Sequence, residues 1–247
     1  MEVHHHSQTE RRKWTHYFWE FFMLFLAIVC GFMAENYREK ISNKENELHY
    51  IHNLIIDLKK DTAEVAFVNN FAQEIYYRLN KLSQIPINRL KNFNTQDTFY
   101  HYFLMPYSFT YYFVQRNNTI SQLKAGGFNL IGDKEVVDSI SNLYSFYEAI
   151  KINNEYMDVN YRDLLHTGQQ TMKLETLPSF PNDPSLNEFL QNTEVFMRYE
   201  KPLLQQLYNV IGYCKASIIN YMEFTKEYKI MAERLIIYLT DKYHIKE

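Results

Sequence analysis

The chain has 247 residues, with 26 Lys and Arg against 29 Asp and Glu and a formal net charge of −3. The two signs are interspersed, which excludes the basic stripe of a nucleic-acid surface. Hydrophobic residues make up 46% and charged residues 22%, while Gly and Pro number six each. Such a composition excludes disorder and favours long helices over many short strands.

The first element is a short tail, residues 1–13, holding His4-His5-His6 and the basic run Arg11-Arg12-Lys13. Three consecutive histidines on a flexible tail form a weak ligand set without fixed geometry, so no metal is expected there. Residues 14–34 follow as a transmembrane helix. Its apolar stretch, Tyr17 to Ala34, counts eighteen residues with a single charge, Glu20. At ~1.5 Å per residue that is roughly 27 Å, close to the hydrocarbon thickness of a bilayer. A cleaved signal peptide would need a small-x-small site, and Cys30-Gly31-Phe32-Met33-Ala34 offers none of quality. A lipoprotein site at Cys30 would need a small residue before it, where Val29 stands. A soluble core helix would rarely carry five phenylalanines and Trp19 in such a run.

Arg11, Arg12 and Lys13 favour an N-terminus on the cytoplasmic side, against Arg38, Lys40 and Lys44 beyond the span. The C-terminal domain is then expected to be periplasmic, on an inner-membrane anchor. Within the span, Glu20, Leu24, Ala27, Gly31 and Ala34 share one helical face. Ala27-x-x-x-Gly31 is a small-xxx-small pattern that admits a second helix. Glu20, Ala27, Gly31 and Ala34 are therefore the candidate contact residues in the membrane, with a second copy or a membrane protein as partner. An intramembrane carboxylate points to function; the competing reading is that Glu20, barely a turn inside, snorkels to the headgroups.

Residues 35–247 read as a helical bundle domain, giving an all-α chain of one transmembrane helix followed by long helices. From Glu35 to about Gln84 there is no Gly or Pro. Leu48, Ile51, Ile55, Leu58, Thr62, Val65, Ala72 and Leu79, joined by Val68, Ile75 and Leu82, mark an amphipathic helix. Ile85-Pro86 ends it. The aromatic stretch Thr95–Arg116, interrupted by Pro106, predicts two short helices or one kinked helix, with a strand as the lesser alternative. Asn117 to Thr119 predict a cap for a short helix Ile120–Ala125, stopped by Gly126-Gly127. Phe128–Gly132 is a tight connection. Asp133 is an N-cap for a helix to about Leu174, with Val136, Val137, Ile140, Leu143, Tyr144, Tyr147 and Ile150 inward.

Thr176–Pro184 is a predicted loop, and Asp183 and Pro184 begin another helix. Pro202 kinks or restarts it. The last helix, from Leu203 to about Tyr243, carries the cleanest stripe: Leu204, Leu207, Ile211, Cys214, Ile218, Tyr221, Tyr228, Ala232, Leu235 and Leu239. It is expected to pack on one of the two other long helices.

No catalytic constellation is legible, and no cofactor is expected. His49 and His52 with Glu45 could form a two-His, one-carboxylate set, but they flank the apolar stripe and lack a second helix of ligands. Gly126-Gly127 follows a helix, not a strand, and so is no phosphate cradle. Cys214 has no histidine base in view and lies on an apolar stripe, as an inert core thiol does. Cys30, at membrane depth, has no disulfide partner in it. The tyrosines of Tyr100–Phe113 could line a pocket, although aromatic packing explains them.

The N-terminal block with W-x-x-YFWEFFMLFLAIVCGFMAE and then ELHYIHNLIIDLKKDT resembles a family of uncharacterised single-pass membrane proteins common in Bacteroidota. TISQLKAGGFNLIGDKEVVDSI and the terminal KYHIKE are similar to it as well. The resemblance implies a Gram-negative envelope location and a natural His4–His6, and it implies no activity. Two functions fit the sequence: a membrane-anchored helical interaction module, scaffold or accessory subunit of an envelope complex, or a ligand-sensing bundle that signals through a partner. A non-enzymatic role is expected in both.

Overall fold

The computed structural model describes residues 14–107, 112–126, 128–173 and 194–245. The chain divides into two compact units, Met1–Tyr50 and Ile51–Glu247. Helix α1, Trp14–Gln84, passes through both. Its only internal glycine is Gly31 and it holds no proline, so nothing breaks its hydrogen-bond ladder until Ile85 precedes Pro86.

In the first unit no described residue is buried. Phe21 and Phe32 are about two-thirds exposed, and Trp19 is 60% exposed. The expected helix over 14–34 is present, with its apolar side chains uncovered by protein.

The second unit has its core on three long helices: the 51–84 part of α1, then α4 (Lys134–Thr171) and α5 (Lys201–Tyr243). Between α1 and α4 lie α2 (Phe93–Tyr107) and α3 (Asn118–Ala125). Among the described residues the chain is helical with no strand, and the only β pairing is one antiparallel bridge between Met172 and Phe196. α5 runs antiparallel to α1. Tyr208 bonds Ile85, Lys215 bonds Asn80, Thr225 bonds Asn69, and Tyr228 bonds Asp61, in descending order along α1. α5 is also antiparallel to α4, through Asn160–Ser217, Tyr147–Tyr228 and Asp133–Lys242.

Every one of the ten expected stripe residues of α5 is buried, and the gap between Tyr221 and Tyr228 is filled by buried Thr225. Its hydroxyl bonds the Tyr221 carbonyl and Asn69, so a polar residue sits inside at no loss of hydrogen bonds. On α1 the stripe departs from expectation. Leu48 is 36% exposed and Thr62 is half-buried, while Leu54 and Asp61 take buried positions. The buried face begins at Ile51 and keeps strict three- and four-residue steps through Leu54, Leu58, Asp61, Val65, Val68, Ala72, Ile75, Leu79 and Leu82. That repeat places Asp61, not Thr62, inward. On α4, Val136, Ile140, Leu143, Tyr147 and Ile150 are buried as expected, and Val137 and Tyr144 are half-buried at the edge.

The aromatic stretch forms one helix, α2, that continues past position 106 to Tyr107, followed at residues 112–117 by a strap without regular secondary structure. Helix α3 starts at Asn118 rather than Ile120; Asn117 occupies the cap position without a side-chain cap bond. Gly126 is the C-cap of α3, its N–H donating to the Gln122 carbonyl, and a Cβ there would stand 3.1 Å from Leu130 Cδ1. Phe128 then turns into the left-handed region, φ 59°, and its N–H donates to the Leu123 carbonyl. Asp133 caps α4 as expected, accepting from the Glu135 and Val136 amides at 2.9 and 3.2 Å. α4 stops at Thr171, where the backbone switches to pairing with Val195 and Met197. Pro202 sits in the first turn of α5, so it starts that helix and does not kink it. The loop expected over Thr176–Pro184 and the helix start at Asp183 and Pro184 lie outside the described residues.

Ile211 is fully buried on α5 and Ile237 is 61% exposed. Ile211→Ala is expected to lower unfolding free energy by about 2–5 kcal/mol, and Ile237→Ala to leave it within about 0.5 kcal/mol. Urea titration of the detergent-solubilised chain, followed by circular dichroism, compares the two; equal losses would contradict this core.

Candidate functional site

Two places in the molecule combine unusual chemistry with defined geometry, and each belongs to one unit. In the first unit, α1 is a helix long and apolar enough to cross a membrane, with none of its apolar window buried. Ala27, Gly31 and Ala34 are exposed along one face of it. A Cβ added at Gly31 would meet nothing within 4 Å, so the face is open to a close neighbour. Glu20 lies on the same face, nearly two turns from the helix start. Its carboxylate stands 3.2 Å from His16 Nε2 on its own helix. The four candidate contact residues therefore share a face, and Glu20 has an intrahelical partner that the sequence reading did not name.

In the second unit the strap 112–117 is stitched to all three long helices. Tyr112 donates its hydroxyl to Asp158 of α4 at 2.5 Å. The Phe113 ring is buried against Tyr228 and Tyr147, with centroids at 4.8 and 5.7 Å. The Phe113 amide donates to the Tyr221 hydroxyl at 2.8 Å. Asp61, from α1, is fully buried and receives three donors: the Arg116 amide and Nη1, both at 3.0 Å to Oδ1, and the Tyr228 hydroxyl at 3.1 Å to Oδ2. One turn earlier, Asp57 accepts from Thr119 at the start of α3, at 2.6 Å.

A strap with no ladder must find acceptors for its buried amides elsewhere. Tyr221 and Asp61 supply them. Burial pushes the Asp61 carboxyl up to about 6, because loss of water outweighs the hydrogen bonds that favour the ion. The sequence signal for this site was a charge three residues after Leu58 and four before Val65, on a stripe otherwise apolar. The sequence reading passed over it in favour of Thr62.

A second polar cluster is structural. Gln96 Oε1 accepts from the Val195 and Phe196 amides, and its Nε2 donates to Tyr199, which donates to Glu194. These bonds fasten the returning chain to α2. A groove of about 270 Å³ between Asn142 and Leu143 of α4 and Met231, Arg234 and Leu235 of α5 is smaller than common ligand pockets.

The remaining candidates are not assembled into sites. Glu45, His49 and His52 are each exposed, and no cluster of three metal-ligating residues occurs among the described residues. His4, His5 and His6 lie outside them. Gly126 closes a helix, as expected; Gly127 lies outside the described residues. Tyr100 and Phe103 are core residues. Both cysteines are free, Cys30 exposed and Cys214 buried. Burial pushes the Cys214 thiol up to about 12, and its Sγ lies 3.4 Å from the Asn160 carbonyl it donates to. The thiol is held protonated and inert at neutral pH.

The chain matches no protein-family model, no curated protein and no solved structure. The fold is thus read from the chain's own packing.

In a Cys30→Ser background, Cys214 is expected to resist maleimide at pH 7.5 in the native state and to react fully in guanidinium. Rapid native labelling, read by mass, would contradict its buried, protonated state.

Proposed function

We propose that the protein is a membrane-anchored helical interaction module, a scaffold or accessory subunit of a cell-envelope complex. The observation that carries this reading is the uncovered apolar stretch of α1. From Tyr17 to Ala34 the helix presents aromatic and aliphatic side chains on every side, and protein buries none of them. Exposed to water, an apolar surface of that extent is an aggregation liability; lipid removes it from water at the length a bilayer requires. Trp14, Tyr17 and Trp19 suit the interfacial belt, and Arg11, Arg12 and Lys13 favour a cytoplasmic N-terminus with the bundle on the periplasmic side. The resemblance to single-pass proteins of Bacteroidota supports an inner-membrane setting.

The open face at Ala27, Gly31 and Ala34 supports a role in association. Small residues let helix backbones approach closely where lipid offers no competing hydrophobic gain. Glu20, paired with His16 on one side, has carboxylate lone pairs to offer across such a contact. A second copy or another membrane protein is the partner this face would take.

The full chain is expected to stay in the pellet after alkaline carbonate extraction of membranes, and a variant lacking residues 1–34 to appear in the supernatant. Release of the full chain would overturn the anchor. In a membrane two-hybrid assay, Gly31→Leu paired with Glu20→Ala is expected to lower association at least severalfold; unchanged association would remove the contact face while leaving the anchor standing.

A further inference from the structure

The strap 112–117 is fastened by a buried acid whose charge is poorly matched. Arg116 Nη1 stands 3.0 Å from Asp61 and also 3.0 Å from Glu64. One guanidinium thus serves two carboxylates. Asp61 is buried, whereas the Arg116 side chain is 38% exposed and Glu64 is 30% exposed. Glu64 keeps contact with water. Asp61 has no water and only a share of the cation.

The groups facing Asp61 come from every element around it. Arg116 comes from the strap, Glu64 from α1, Tyr228 from α5 and Tyr147 from α4. Asp57, also on α1, is occupied by Thr119 of α3. Among these, Arg116 is the sole cation. Behind Tyr228, Gln115 donates from Nε2 to the tyrosine oxygen at 2.9 Å, and its buried Oε1 has no partner. With Asp61 ionised, hydrogen bonds run from Gln115 to Tyr228 to Asp61. With Asp61 protonated, the carboxyl can donate to Tyr228, Tyr228 can donate to Gln115 Oε1 after the amide rotates, and the same three side chains bond in reverse order.

We propose that the strap is a proton-controlled latch: protonation of Asp61 locks residues 112–117 onto α1, α4 and α5, and ionisation favours their release. The sign follows from linkage. Closed, Asp61 titrates at about 6. Open to water, a free Asp titrates at about 3.9. The closed state therefore binds the proton more tightly, so acid favours closure. Opening grows as pH rises through that window and levels off above it. From pH 5.0 to pH 7.5 the opening constant rises about tenfold on these two values. The latch belongs to the bundle alone and does not depend on the anchor. Release would uncover the aromatic groove of Tyr147, Tyr221 and Tyr228.

Hydrogen exchange of the full chain in detergent, read by mass spectrometry on a peptide spanning 112–117, tests the latch. The amides of Phe113 and Arg116 are the reporters. After correction for intrinsic exchange, the wild-type opening constant is expected to be about tenfold larger at pH 7.5 than at pH 5.0. Asp61→Asn is expected to remove this pH dependence. A flat or falling wild-type profile, or a persisting rise in Asp61→Asn, would overturn the proposal. Should Asp61→Asn fail to fold, Arg116→Gln decides. Loss of the shared cation is expected to move the midpoint of opening to higher pH, and an unmoved midpoint would overturn the latch.

Discussion

The bundle depends on covering one apolar stripe, from Ile51 to Leu82 on α1, and α5 is bonded antiparallel along it from Asp61 to Ile85. Area burial supplies most of the driving force, but area alone would let two stripes slide past each other by a turn. Side-chain bonds pin the register: Tyr208 to the Ile85 carbonyl, Lys215 to Asn80 and Ser83, and Thr225 to Asn69. Each lies at the margin of, or inside, the apolar seam. A slip would leave buried polar atoms without partners, which costs more than a lost contact.

The strap poses a different constraint. Its amides are buried but belong to no helix, so side chains must satisfy them. Tyrosines do much of this work because each brings a large apolar body and one hydroxyl at its tip. Tyr221 accepts from the Phe113 amide and Tyr228 bridges Gln115 and Asp61, while both rings fill the core. Asp61 is then explained without invoking chemistry: it is the acceptor an irregular backbone needs at a point where α1 faces it. Its raised proton affinity follows from meeting that need in a place without water.

Much of this architecture was legible in the sequence because it rests on local rules. The α5 stripe, the Asp133 cap and the stop at Ile85-Pro86 each depend on residues within a turn or two of one another. What escaped was non-local. The seven-residue spacing of Leu54, Asp61, Val68, Ile75 and Leu82 already puts Asp61 on the stripe; what it does not show is the partner that makes a buried acid tolerable, the strap some fifty residues later. Thr62 settles its own hydroxyl locally, on the Lys59 carbonyl, and stays at the edge. The aromatic stretch misled for a similar reason. Its side chains suit a helix and a strap equally, and tertiary contacts of Phe113 with Tyr147, Tyr221 and Tyr228 hold residues 112–117 as a strap.

The two parts of α1 pose the same problem and call for different surroundings. Both parts of α1 carry apolar side chains at helical spacing. From Ile51 onward they form a stripe, with charged residues on the opposite face, and protein covers it. From Tyr17 to Ala34 they encircle the helix, so no single partner helix could cover them all. A stripe asks for a neighbour; a full belt asks for a surrounding apolar phase. Only the face at Ala27, Gly31 and Ala34 departs from the belt, because its side chains are too small to fill space against lipid. That departure separates the candidate contact face from the rest of the belt: in a bilayer, lipid chains would cover the large residues, whereas a second helix backbone would pack more closely against the small ones.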